Sequence, residues 1–182
     1  GEQALRRQIC VENRDGTSLL TFGRLGEVPH AELIALHNDP RVLRHLPLAG
    51  NVFDEAVCRQ WVAEKDGQWQ EHGYGPWSIH VEGRFAGWGG FQCEQGEADL
   101  GLVLAAEYWG IGRAVCCKML RIAFDDMQLA SVTALLPPGR VRVKGMQRLG
   151  FQRDGQLQIG AVLFHRYRCW APGTTASQRN GE

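Results

Sequence analysis

The sequence lacks the features that would mark a membrane protein or a nucleic-acid-binding protein. Its 182 residues contain no apolar run near the roughly 20 residues that a membrane helix needs. Its first residues also lack the apolar core of a signal peptide. Lys plus Arg and Asp plus Glu both number 20, so no overall field attracts nucleic acid or an anionic membrane. We therefore expect neither a membrane nor a nucleic-acid partner, and a single domain at this length.

The six cysteines lack the spacing of a metal site or a disulfide scaffold. No C-x-x-C pair occurs, and Cys116 and Cys117 are adjacent within a predicted helix, where disulfide geometry is poor. We expect free thiols, no metal site and a reducing cytoplasm.

The usual nucleotide-binding motifs are also missing. The chain has no G-x-x-x-x-G-K-[ST] loop. Gly110 and Gly112 begin a G-x-G pattern, but Val115 stands where a dinucleotide fingerprint needs its third glycine. A nucleotide-binding protein is therefore the weakest of the functional hypotheses.

What the sequence does contain is a strand, a turn and a long amphipathic helix in direct succession over residues 99–126. Leu100, Leu102 and Leu104 lie on one face of a period-2 pattern with Val103 between them, which predicts a strand covered on both sides. Val115 and Met119 recur at helical spacing, so the helix is predicted to begin near Gly112.

The start of this helix is a candidate anion site. Its first N–H groups have no partner within the helix, and the helix dipole places partial positive charge there. Gly110 and Gly112 permit close approach of a phosphate and backbone conformations that a side chain forbids, and Arg113 can add a charged hydrogen bond. A tight turn that binds nothing fits the spacing equally well.

Four segments carry a family resemblance. Residues 99–114, DLGLVLAAEYWGIGRA, resemble the acetyl-CoA motif of the GNAT acetyltransferase superfamily, in particular its RimJ/RimL-like branch. Residues 147–151 (QRLGF), 84–91 (RFAGWGGF) and 39–47 (DPRVLRHLP) resemble other parts of that pattern in the same order. The resemblance extends from about residue 19 to 168.

The resemblance implies a mixed α/β (α+β) GNAT fold in one domain. We expect a central, mostly antiparallel sheet of six or seven strands with helices on both faces. A splay should separate the central strand from the strand over residues 131–136. The predicted boundaries are a polar lead-in over 1–17, the domain over 18–170 and a disordered tail over 171–182.

Capping residues, turn residues and apolar spacing place the remaining elements. They predict a first strand over 18–24, helices over 28–38, from Asp39, and from Asn51 or Asp54 to about Gln70, a hairpin over 76–92 with its turn at Glu82 and Gly83, a helix over 140–149 ended by Gly150, and closing strands over 151–159 and 161–170.

As function, the resemblance implies an N-acetyltransferase that uses acetyl-CoA as cosubstrate. The backbone of Val103 and Leu104 would bind the pantetheine and polarise the thioester carbonyl, and the N–H groups of residues 110–114 would bind the pyrophosphate. The predicted cofactor-binding residues are Leu102, Val103, Leu104, Trp109, Gly110, Ile111, Gly112, Arg113 and Ala114. The acceptor, a protein N-terminal amine or a small-molecule amine, would bind near residues 37–77. The resemblance is compatible with a monomer or a homodimer.

The candidate general base is Asp99, where the related pattern most often has Glu. Glu97, Glu94 and His80 are alternatives, and Asp99 could instead pair with an arginine to hold the fold.

Met146 stands where many acetyltransferases have the tyrosine that protonates the leaving thiolate. A non-catalytic acyl-CoA-binding or sensing module is therefore the alternative function. His37 and His45 are more typical of half-buried helix residues than of catalytic ones, and Trp69, Tyr74 and Trp77 are more typical of a core than of a substrate site.

Overall fold

The computed structural model describes residues 9–13, 16–46, 50, 52–139 and 143–181. These residues form one eight-stranded sheet with the strand order β1-β2-β3-β4-β5-β6-β8-β7. The strands are β1 (Ile9–Asn13), β2 (Gly16–Gly23), β3 (Pro76–Val81), β4 (Arg84–Glu94), β5 (Glu97–Leu104), β6 (Ser131–Leu136), β7 (Gln152–Ile159) and β8 (Val162–Trp170).

All neighbouring strands in this sheet run antiparallel except β5 and β6. The turn between β3 and β4 has φ of 51° at Glu82 and 76° at Gly83, a conformation whose twist matches that of a two-residue hairpin. Gln95 and Gly96, with φ of 51° and 79°, connect β4 to β5 in the same way. Local turn chemistry therefore aligns the three strands that lead to the centre of the sheet.

One face of the sheet carries α1 (His30–Asn38), α2 (Pro40–Leu43) and α3 (Glu55–His72). Asp39 caps α2 by accepting the Arg41 N–H at 2.9 Å, and Asp54 caps α3 by accepting the Val57 N–H at 2.9 Å. A cluster of buried side chains from these helices packs on Trp88 of β4 and Val103 of β5.

The opposite face carries α4 (Gly112–Arg121), which continues as a wider helical turn over Ile122–Asp126. Val115 and Met119 are fully buried there, together with Trp77 and Phe91 from the sheet. A short α5 (Val143–Arg148) follows β6, and Gly150 ends it with φ of 99°. This larger cluster holds the central helix against strands from both halves of the sheet.

The mixed, mostly antiparallel single-domain fold with helices on both faces is confirmed, as are the helix start at Gly112 and the strand Ser131–Leu136. The strand count is eight because Ile9–Asn13, within the predicted lead-in, pairs with β2. Residues beyond 170, predicted as a disordered tail, contain the exposed helix α6 (Ala176–Arg179), which Thr175 and Gln178 cap reciprocally. The possible cap Asn51 and the start of the helix predicted over 140–149 lie outside the described residues.

Candidate active site

The predicted splay separates β5 from β6. These strands run parallel, and over their described lengths they pair only through Asp99 and Thr133. Beyond that pair, residues 100–104 of β5 and 134–136 of β6 have no register partners in each other. The result is a gap with Asp99 at its closed end and the chain toward α4 at its open end.

The backbone of β5 presents alternate residues to this gap. Ala105 donates its N–H to Ala86 of β4 at 2.8 Å. Because backbone groups alternate in direction along an antiparallel strand, those of Leu102 and Leu104 face away from β4, toward the gap. The Leu104 carbonyl accepts a hydrogen bond from Trp109 Nε1 at 3.0 Å. Val103, by contrast, directs its carbonyl toward Gly87 of β4, so its backbone carbonyl is not turned toward the gap as expected.

The start of α4 lies just beyond the open end of the gap. A 3₁₀ turn over Ala106–Ile111 leads into Gly112, and no side chain caps the new helix. The Gly112 N–H is bonded to the Trp109 carbonyl, so the N–H groups available to another partner are those that follow it in the first turn. Ile111 is buried and anchors the turn, while Arg113 is exposed.

The two glycines of this turn have a role that differs from the expected one. Gly112 has an ordinary helical backbone, with φ of −53° and ψ of −43°, and Gly110 has no positive φ. A Cβ on Gly110 would meet nothing within 4 Å, and one on Gly112 would lie 3.8 Å from Leu102 Cδ2. The expectation that these glycines adopt conformations forbidden to other residues was wrong, and what they provide is open space over the helix start.

Asp99 is half-buried where β5 and β6 meet, and its Oδ1 accepts a hydrogen bond from Thr133 Oγ1 at 2.7 Å. Burial raises the pKa of Asp99 from 3.8 to about 7, and the negative charge of Glu94 acts in the same direction. The Thr133 hydrogen bond and the charge of Arg166 lower that pKa by less. A carboxyl group with this pKa exchanges protons near neutrality, as a general base requires.

The other candidate bases have different surroundings. Glu97 forms a two-point ion pair with Arg168, at 2.9 and 3.0 Å, and this pairing holds the pKa of Glu97 below its usual value. His80 lies opposite Phe85 of β4. On β4, Phe85 lies beyond Gly87, the partner of Leu104, whereas the partner of Asp99 is Gln92, so His80 and Asp99 lie at opposite ends of these strands. The arginine-paired structural role considered for Asp99 thus belongs to Glu97.

Glu94, the remaining alternative, pairs in register with Glu97 beside the β4–β5 turn. Its charge acts on the pKa of Asp99.

Aromatic rings line the face beneath α1 and α3. His37 stacks on Phe53 with centroids 4.2 Å apart, and Trp61 lies against His37 at 4.7 Å and against Trp88 at 5.3 Å. His37 Nδ1 bonds the Leu33 carbonyl at 2.8 Å, and Trp88 Nε1 donates to His37 Nε2 at 3.1 Å. Burial lowers the pKa of His37, so this ring is a neutral structural residue.

The remaining aromatic and histidine predictions have simpler outcomes. Trp77 is fully buried, and Trp69 donates Nε1–H to the Pro76 carbonyl at 2.9 Å while packing on that core. His45 is exposed and contacts Trp109 edge-on at 5.4 Å. Met146 packs partly against the larger core.

A groove of about 550 Å³ runs along the outer side of α4. It is lined by Arg113, Cys117 and Arg121 from successive turns of that helix, and by Arg148 across from them. Helix α4 thus connects its open start to a basic surface.

Sequence reasoning missed three residues around Asp99: Thr133, Gln92 and Lys65. Gln92 lies directly opposite Asp99 in the β4–β5 pairing, and Lys65 of α3 donates to Gln92 Oε1 at 2.5 Å. No local pattern identifies them, because each contact joins different elements.

Among the described residues, no three His, Cys, Asp or Glu side chains converge to hold a metal ion. In the same part of the chain, no helix is long and apolar enough to cross a membrane.

Comparison with known proteins supports this description. Residues 20–152 match the family described as Acetyltransferase (GNAT) domain. RimJ from Mycobacterium smegmatis, solved in complex with CoA-disulfide, is 18% identical with a TM-score of 0.69, covering 94% of this chain and 91% of that chain. A GNAT-family protein from Bordetella pertussis is 15% identical with a TM-score of 0.69, covering 90% and 99%.

An aminoglycoside acetyltransferase in complex with coenzyme A is 14% identical with a TM-score of 0.64, covering 90% of this chain and 98% of that chain. At these identities the structural similarity establishes the fold. The family match covers most of the chain, including β5, the gap and the start of α4. The chain therefore belongs to the GNAT acetyltransferase family, whose cosubstrate is acetyl-CoA.

Proposed function

We propose that this protein is an N-acetyltransferase that moves the acetyl group of acetyl-CoA to a primary amine. The acceptor would be a small-molecule amine or a protein N-terminus. The observation that carries the proposal is the position of Asp99. This carboxyl group, with a pKa of about 7, lies at the closed end of the β5–β6 gap, on the strand that leads to the uncapped start of α4.

The residues around the gap suit the parts of acetyl-CoA. The backbone of Leu102 and Leu104 faces the gap and would hold the pantetheine as an added strand, while Val103 closes the acceptor side. The pyrophosphate would bind the N–H groups at the start of α4, where Gly110 and Gly112 leave space.

The remaining predicted residues of the turn have distinct parts in this proposal. Ile111 holds the turn to the core, Ala114 contributes an N–H group, and Trp109 fixes the Leu104 carbonyl. Arg113 and the basic groove beyond it would neutralise the phosphates at the nucleotide end.

The chemical step follows from this placement. Asp99 would accept a proton from the acceptor ammonium, directly or through one water, and release it to solvent after the reaction. The amine nitrogen would form a bond to the thioester carbon while the carbon–sulfur bond breaks. The nitrogen would lose its second proton to water as the amide forms. The sulfur would leave as a thiolate, which is acceptable without a general acid because thiols have a pKa of about 8.5.

A non-catalytic acyl-CoA-binding module is the second candidate. One observation favours it: Met146, at the place of the expected tyrosine, has no group that can protonate a thiolate. Both candidates use the same acetyl-CoA site and differ only in turnover.

Calorimetric titration with acetyl-CoA tests the binding site. Gly112→Val should weaken binding at least about tenfold, or 1.4 kcal/mol, because the side chain enters the phosphate space. The fold should persist, since the new Cβ would meet Leu102 and Leu104 at ordinary distances. Gly67→Val is the matched control, because Gly67 is an exposed glycine of α3 with nothing within 4 Å of an added Cβ. Unchanged binding in folded Gly112→Val would refute the assignment.

Thiol release from acetyl-CoA across a panel of amines and peptides tests turnover. Amine-dependent release that Asp99→Asn lowers by a factor of about 10² or more supports the transferase. Acetyl-CoA binding without release for any amine would leave the binding module as the function. The cytoplasmic location, the absence of nucleic-acid and membrane partners, and a monomeric or homodimeric state stay predictions.

A further inference from the structure

An open trough crosses β5 at Gly101, on the face of the sheet that carries α1 and α3. We call this the acceptor face, because the acceptor is proposed to bind there. Val103 packs with α1 and α3, and side chains alternate along a strand, so Asp99 and Gly101 face the same side as Val103. A Cβ on Gly101 would lie 3.7 Å from Gln92 Nε2, with no other described atom within 4 Å. Space for a ligand therefore exists between the Asp99 carboxyl and the Val103 side chain.

The amide of Gln92 has a defined orientation beside this trough. Lys65 Nζ bonds Gln92 Oε1, and an ammonium group can only donate hydrogen bonds. The oxygen of the amide must therefore face Lys65, which turns the NH₂ group toward Gly101. Gln92 is the direct register partner of Asp99, so an N–H donor and a carboxylate acceptor lie side by side.

Lys65 is itself fixed from several directions. Its ammonium lies 5.8 Å from the centre of the Trp88 ring, and burial lowers its pKa. Glu64 and Glu94 are the nearby carboxylates, and both favour the charged form. A half-buried ammonium whose hydrogen bond goes to an amide oxygen is an orienting group for that amide.

We infer that Gln92, oriented by Lys65, determines acceptor specificity by donating a hydrogen bond to an oxygen on the second carbon from the acceptor nitrogen. This inference rests on the proposed function and names its substrate class. The preferred acceptors are amino alcohols and α-amino carbonyl compounds, whose nitrogen and oxygen are close enough to bond Asp99 and Gln92 together. Simple alkylamines and polyamines lack the oxygen and gain nothing from Gln92.

The test measures how strongly an acceptor with the oxygen is preferred over one without it, and compares this preference between wild type and Gln92→Leu. The specificity constant kcat/KM for ethanolamine is divided by that for propylamine, and the constant for alaninamide by that for sec-butylamine, in wild type and in Gln92→Leu. Comparing the same pair in two proteins cancels the intrinsic reactivity of the amines. Gln92→Leu should lower each ratio by about three- to tenfold, the effect of one neutral hydrogen bond.

Further variants separate specificity from structure. Lys65→Met should lower the ratios in the same direction, through KM rather than kcat, and Lys65→Arg should restore part of the loss. Gly101→Ala should reduce acceptor kcat/KM, because the added methyl group fills the trough. Acetyl-CoA affinity should stay constant, because that methyl group does not enter the gap between β5 and β6. Gln60→Leu, at an exposed position of α3, is the control and should change no ratio.

The results of these experiments distinguish a failure of this inference from a failure of the proposed function. Turnover of all amines with ratios that Gln92→Leu leaves unchanged in a folded protein would overturn this inference and leave the transferase intact. Absence of thiol release with every amine in wild type would overturn both. A fall in the ratios equal for Gln92→Leu and Gln60→Leu would also overturn the inference.

Discussion

Replacing Asp99 by Asn should change the pH dependence of stability in a defined way. Asn keeps the shape and an oxygen that can accept the Thr133 hydrogen bond, but it does not titrate. In wild type, burial raises the pKa of Asp99 from 3.8 to about 7, so the folded state holds a proton that the unfolded state releases in this range.

The sign and size of this stability difference follow from the linkage between folding and protonation of Asp99. Below pH 3.8 Asp99 is neutral in both states and has no effect. As pH rises to about 7, wild type loses stability relative to Asp99→Asn, and above that pH the difference is constant. At about 1.4 kcal/mol per pKa unit, the full change in the free energy of unfolding is about 4 kcal/mol.

Urea unfolding of both proteins at intervals from about pH 4 to 8.5 measures this change. The other titrating groups are common to both proteins, so the difference isolates Asp99. The same samples should show kcat lowered by a factor of about 10² or more with acetyl-CoA affinity retained. A difference in stability that stays constant over this whole pH range would refute the raised pKa, and with it the physical basis for choosing Asp99 as base.

Three further substitutions test the surroundings of the site. Thr133→Val removes the hydrogen bond that lowers the pKa of Asp99, so the acid limb of the kcat/KM profile should move to higher pH; an unmoved limb would contradict the assignment. Glu97→Gln should destabilise the protein by about 1.5 to 3 kcal/mol in urea unfolding, because Arg168 is only 12% exposed and loses a charged partner, while turnover stays within a few-fold; loss of turnover with intact stability would make Glu97 the base. The lowered pKa of buried His37 should contribute a loss of stability as pH falls below 6.5, opposite in sign to the contribution of Asp99, and His37→Gln should remove it; an identical slope in both proteins would show that His37 does not titrate there.

The start of α4 and the strand before it were predictable because both are local. Val115 and Met119 recur at helical spacing, and the alternation of Leu100, Leu102 and Leu104 is visible without any partner strand. The reason for Gly112 was not predictable, since a glycine chosen for its conformation and one chosen for the space around it look alike in a sequence.

The environment of Asp99 depends on contacts between distant positions. Thr133 lies 34 residues after Asp99, and Arg168 lies 71 residues after Glu97. Their proximity depends on the parallel register of β5 and β6 and on the return of β8 beside β6, which no local pattern encodes. The choice between Asp99 and Glu97 as base therefore required the fold.

The single register pair between β5 and β6 divides the sheet into two blocks of strands. Strands β1 to β5 form one antiparallel block, and β6, β8 and β7 form another. The boundary between the blocks, where β5 meets β6, is here called the seam. On one face of the sheet, the larger core cluster packs α4 against strands of both blocks, across this seam. Two polar contacts also cross this seam, from Asp99 to Thr133 and from Glu97 to Arg168. The carboxyl group proposed to move protons thus also helps to hold the two blocks together, so a substitution that removes its hydrogen-bond acceptor would both change the chemistry and loosen the seam beside the proposed acetyl-CoA site.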